Sequence, residues 1–106
     1  MRTFPKALAE FRRMVEARGA ELRSLSHQDL LEAGNRPVEH LVVQGRRARI
    51  SIIVQSRADG ALRVVVQGFM PGRLFFFVMN VALDGFYKLP DGSVEPMPDR
   101  ELYEFD

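Results

Sequence analysis

The chain has 106 residues, 46% of them hydrophobic and 27% charged, with a formal net charge of +1. That length suits one domain over residues 1–106, and the composition argues against extensive disorder or a low-complexity chain. With no cysteine present, a disulfide framework, a thiolate metal site and a cysteine nucleophile are all excluded, and a reducing, cytoplasmic setting is expected.

The elements read as follows along the chain. Phe4, Leu8, Phe11 and Val15 recur at helical spacing, with Lys6, Arg12, Arg13 and Glu16 on other faces, which predicts an amphipathic helix over 4–18. Pro5 fits its first turn and Gly19 is the expected stop. Ser26, with Asp29 three residues on, predicts the capped start of a short second helix ending at Gly34, with Leu30, Leu31 and Ala33 as its apolar side.

After Pro37 the vocabulary turns β-branched and aromatic, as in an antiparallel meander. Strands are predicted at 38–43, 48–55 and 62–69, separated by turns at Gln44–Arg46 and Arg57–Gly60. Met70–Arg73 reads as a further turn and Leu74–Met79 as a two-sided strand, with a buried helix as its competitor. Asp84–Gly85 and Pro90–Gly92 are turn signals, Ser93–Pro96 a short edge strand, and Pro98–Glu104 a last helical turn or docked tail. The expected fold is α+β: an N-terminal amphipathic helix plus a short second helix packed on an antiparallel β-meander of four to six strands.

The residues carry no recognisable catalytic or metal pattern. His27 and His40 share no metal-ligand spacing, no glycine run forms a phosphate cradle, and no serine sits in a nucleophile elbow. The acids from Asp84 to Asp106 match no calcium loop, and several fall in turns that favour aspartate for its backbone hydrogen bonds. No cofactor or metal is expected, and the chain leans away from enzymes. The longest apolar run, Leu74 to Met79, is far short of the roughly 18 residues that span a bilayer, and the first residues lack the apolar core of a secretory signal, so no membrane association is expected.

Charge is unevenly spread: residues 1–80 carry +6 and residues 81–106 carry −5, a distribution that pairs its own halves or shows partners two surfaces of opposite sign. On strands 2 and 3, alternation places Ile50, Ile52, Val54, Leu62, Val64 and Val66 toward the helix. Arg49, Ser51, Ile53, Gln55, Arg57, Arg63, Val65, Gln67 and Phe69 then face away. One helix covers one side of a sheet, so Ile53, Val65 and Phe69, joined by Phe76 from the next strand, form an apolar outer patch of the kind that marks an interface. A homodimer hides such a patch by two-fold symmetry, while residues 86–106 are apolar enough to wrap it from within the chain. The leading expectation is a non-enzymatic protein-interaction domain of bacterial type, self-associating through Ile53, Val65, Phe69 and Phe76.

The alternative is a nucleic-acid binder using Arg49, Arg57 and Arg63 beside an aromatic, the mixture that sheet-based RNA binders use, although the consensus of an RNA-recognition motif is absent. A small ligand-binding or enzymatic pocket between helix and sheet is the third reading. In architecture, a helix followed by an antiparallel meander is similar to cystatin-like folds and to several small bacterial immunity or adaptor folds. Fold does not imply function, so no functional residue is carried over.

Overall fold

The computed structural model describes residues 4–71 and 79–102, with side chains described for 6–71 and 83–102. In chain order the elements are α1 (Phe4–Arg23), α2 (His27–Ala33), β1 (Glu39–Val43), β2 (Arg46–Ser56), β3 (Leu62–Pro71), β4 (Met79–Lys88), β5 (Val94–Pro96) and α3 (Asp99–Leu102). The five strands lie in sequence order in one antiparallel sheet, so the fold is the expected α+β meander. No helix among the described residues is long and apolar enough to cross a membrane.

Helix α1 does not stop at Gly19; it continues to Arg23. Leu22 is fully buried with Phe11 and Val15, so the apolar stripe runs one turn further than the spacing before Gly19 suggests. The glycine is a contact point instead of an end. A Cβ at position 19 would lie 1.8 Å from Asp84 Oδ2 on β4. Glycine in a helix interior costs roughly 1 kcal/mol against alanine, and here it makes room for an ion pair. Arg23 donates to both Asp84 carboxylate oxygens, at 2.8 and 3.0 Å, and lies 4.9 Å from the Phe86 ring centre. Its pKa is raised first by that hydrogen bond.

The second helix starts as its cap predicts, with the Asp29 N–H donating to the Ser26 hydroxyl at 3.1 Å. Leu30 and Ala33 are buried, whereas Leu31, expected on the same side, is exposed. Val43 and Arg46 pair across Gln44 and Gly45, whose φ angles of 49° and 80° are both positive. That two-residue turn matches the right-handed twist of the strands it joins. The predicted inner sets hold: Ile50, Ile52, Val54, Leu62, Val64 and Val66 pack in one core with Phe11, Val15, Leu22 and Phe86.

The main departure is at β4. Asp84–Gly85 is not a turn but the middle of that strand, opposite Val66 and Val65. Each residue is there for a tertiary reason: Asp84 receives Arg23, and Gly85 makes room on the other face. A Cβ on Gly85 would sit 2.6 Å from Leu102 Cδ2 and 3.1 Å from Met97 Sδ. Met70 and Pro71, expected to open a turn, are the last residues of β3. Of the strand predicted at 74–79, Met79 opens β4 and the rest lies outside the described residues. The Pro90–Gly92 turn is present, closed by Leu89 N–H to the Ser93 carbonyl and Gly92 N–H to the Leu89 carbonyl, both 2.9 Å. Asp91 accepts from the Ser93 hydroxyl at 2.6 Å and its N–H at 2.9 Å, which lowers the Asp91 pKa.

Candidate interaction surface

The outer face of the sheet, opposite α1, is divided in two. Over one half the chain folds back from β5 into α3 and packs Met97 and Leu102 in a cluster with Val65 and Tyr87. Val65 is 0% exposed and Tyr87 8% exposed in the isolated chain, and Ile53, Leu83 and Leu89 pack around this cluster. Polar contacts lock the cover in place. Arg63, also buried, donates to Gln55 Oε1 at 3.0 Å and to the Glu101 backbone carbonyl. The Tyr87 hydroxyl donates to the Glu101 carboxylate, and that hydrogen bond, then burial, raises the Tyr87 pKa.

The other half has no such cover among the described residues. Register puts His40, Arg49 and Phe69 in one cross-strand row and Val42 and Arg47 in the next toward the β1–β2 turn, with Ser51 and Gln67 on the opposite side. His40, Arg47, Arg49, Phe69 and Pro71 surround a shallow recess of about 190 Å³. His40, Arg47 and Arg49 are exposed, Phe69 is half-buried, and the Arg49 guanidinium lies 4.9 Å from the Phe69 ring centre. Val42 is 67% exposed. None of the described side chains projecting from this half is a carboxylate.

The sequence-derived residues are therefore separated. Of the apolar patch, Val65 belongs to the core under α3, Ile53 borders that core, Phe69 lies in the uncovered half, and Phe76 lies outside the described residues. Of the arginine trio, only Arg49 stands on the open platform. Arg63 is used internally, and Arg57 pairs with Asp59 at 3.1 Å and stacks 4.8 Å from the Tyr87 ring centre. Arg47 falls just before the strand expected at 48–55 and joins Arg49 by alternation because β2 begins at Arg46, whereas His40 comes beside them through the β1–β2 register.

Other polar groups have structural partners. His27 Nε2 lies 3.2 Å from the Gly60 carbonyl, to which it donates, tying α2 to the β2–β3 turn. Arg18 holds Glu39 through hydrogen bonds of 2.7 and 3.0 Å, which lower the Glu39 pKa and raise that of Arg18. A cleft of about 570 Å³ opens at the β4 edge beside Arg12, Glu16, Arg23, Asp84, Met97 and Asp99. Its central charges, Arg23 and Asp84, already satisfy one another. Among the described residues no group of three or more histidine and carboxylate side chains is placed to hold a metal ion. No protein-family model, curated protein or solved structure matches the chain.

Proposed function

We propose that this protein is a non-enzymatic interaction domain whose contact surface is the uncovered half of the outer sheet face, and that its partner there is single-stranded nucleic acid. The observation that carries the reading is the cluster of Arg47, Arg49 and His40 around Phe69, with no carboxylate beside it among the described residues. Exposed guanidinium groups supply phosphate contacts, and the flat Arg49–Phe69 stack offers a surface on which a base can pile. Self-association by stacking this face on itself is less well served. An isologous contact brings a patch against its own copy, so Arg47 and Arg49 would meet like charges with no carboxylate of the described residues between them.

The test is fluorescence anisotropy with mixed-sequence oligonucleotides of about 16 nucleotides across a salt series. Affinity should fall linearly on a log–log plot, by about 0.7 in slope for each phosphate contact on a single strand. Arg49→Ala and Arg47→Ala should each weaken binding several-fold and flatten that slope by about 0.7. Arg57→Ala, whose charge is paired with Asp59, should change little. Absent or salt-independent binding removes the proposal.

A further inference from the structure

The two long edges of the sheet are treated differently by the fold. At the β4 edge, β5 pairs with residues 86–88 only. The Leu89 N–H bonds Ser93 across that edge, so by alternation Tyr87, Gly85 and Leu83 point their backbone groups the same way. The next carbonyl beyond β5, that of Gly85, is capped by Arg23 Nη2 at 3.2 Å. A side chain from α1 thus occupies the place a new strand would take, one of the ways proteins block open edges.

The β1 edge has no such guard among the described residues. β1 is the terminal strand of the sheet. Val43 and Arg46 flank a two-residue turn and pair, which makes them a hydrogen-bonded pair. Alternation then gives Leu41 and Glu39 to β2, while the N–H and C=O groups of His40 and Val42 face outward from the edge. The strand carries the exposed apolar side chain Val42, 67% exposed, and Val38, just before it, is 42% exposed.

We infer that β1 pairs antiparallel with β1 of a second copy about a two-fold axis at Leu41, joining the two sheets into one and placing the two Arg47–Arg49 platforms side by side. Backbone parity restricts the choice of register, because outward-facing residues must meet outward-facing residues. With the axis at Leu41, His40 lies opposite Val42 of the partner subunit and each such pair exchanges both its N–H···O=C bonds. An axis at His40 instead would set two histidines against each other and leave Val42 beside the irregular segment after Pro37. The chosen register covers Val42, apposes the two Leu41 side chains on the inner face, and brings no like charges into contact. Arg47 and Arg49 stay separated across the junction by Val42 and His40, unlike in a face-to-face dimer. A second copy is therefore the occupant that this edge fits by its own symmetry.

A five-residue edge buries less than the roughly 1,200 Å² at which stable interfaces begin, so the dimer is a weak one, formed at micromolar to millimolar protein. Sedimentation equilibrium over that range should show the mass rising from 12.1 kDa toward twice that value, with little dependence on salt. Val42→Pro removes an N–H that faces outward and leaves the β1–β2 ladder intact, as proline is tolerated on edge strands in that orientation. It should raise the dissociation constant at least about tenfold with an unchanged circular dichroism spectrum. Independently, Leu41→Cys should form an intermolecular disulfide under mild oxidation, since a non-hydrogen-bonded pair holds its Cα atoms about 4.5 Å apart. His40→Cys should not.

A monomer throughout the range, or a dimer indifferent to Val42→Pro that also gives no Leu41→Cys cross-link, overturns the inference. The inference rests on the platform reading only for the use of the joined surface, and the two fail separately. Val42→Pro and the Leu41→Cys cross-link report on the dimer alone, through mass and covalent capture. Arg49→Ala reports on affinity and should leave the mass unchanged.

Discussion

Arg63 and Arg49 project from the same face of adjacent strands, yet they have opposite fates. Arg63 is 8% exposed and bound to Gln55 and the Glu101 carbonyl; Arg49 is exposed and stacks on Phe69. Strand alternation alone makes them equivalent. What separates them is α3, a single helical turn whose Leu102 and preceding Met97 roof the face over Val65, Gly85 and Tyr87. Among the described residues the roof stops short of the β1–β2 turn, so one end of the sheet is a second small core and the other is a basic platform. An outward-facing position is thus a surface only where nothing later in the chain folds back onto it.

Substitution by aspartate should break the symmetry between the two halves most strongly. Val65→Asp puts an unpaired carboxylate into a fully buried site and should cost about 4 kcal/mol or more, a large share of the 5–15 kcal/mol typical of a whole domain. Phe69→Asp, on the uncovered half, should cost no more than about 1 kcal/mol. Urea unfolding of the two variants measures the contrast, and equal losses would mean that the roof does not divide the face.

A smaller effect, notable for its sign, is expected on the inner side. Alanine in place of a mid-helix glycine ordinarily adds about 1 kcal/mol of helix stability. At Gly19 the new Cβ would meet Asp84 Oδ2 at 1.8 Å, so Gly19→Ala should instead lose about 1–2 kcal/mol by displacing Asp84 from Arg23. Pairing the variant with Asp84→Ala, which removes the clash, should restore part of the gain, and an Arg23-independent stabilisation by Gly19→Ala alone would disprove the close approach.

The same residues show how far the sequence could be read. Hydrophobic spacing located α1, and alternation on β2 and β3 sorted their inner from their outer sets correctly, because both patterns are local consequences of backbone geometry. Gly19 and the Asp84–Gly85 pair were misleading for one shared reason. Glycine and aspartate are the residues of helix ends and turns, but these are placed where two elements nearly touch and where a charge crosses between them. Only the packing of α1 on β4 and of α3 on β4 distinguishes those uses. The platform was half legible: Arg49 and Phe69 follow from strand alternation, Arg47 follows by the same alternation once β2 begins at Arg46 instead of Ala48, and His40 joins them through a register set by the Gln44–Gly45 turn.

The gentlest way to separate the two halves is with pH, through Tyr87. Its hydroxyl donates to the Glu101 carboxylate, and that bond, followed by burial, raises the pKa in the folded state. For an acid whose folded pKa is raised, folding favours the protonated form. The stabilisation is therefore complete below the ordinary tyrosine value of about 10 and disappears as pH rises through the folded value. One hydrogen bond to a charged acceptor contributes about 1.5–3 kcal/mol, so Tyr87→Phe should be less stable than wild type by about that much near neutral pH. The difference should close as pH rises above about 10, because taking the difference cancels every other group that titrates there. Parallel curves would show that the hydroxyl does not hold the roof. Because Tyr87 lies under α3 and away from Arg47 and Arg49, the Tyr87→Phe protein should keep its oligonucleotide affinity near neutral pH. A parallel loss of affinity would show that the roof also shapes the platform, and that the two halves of the face are one surface.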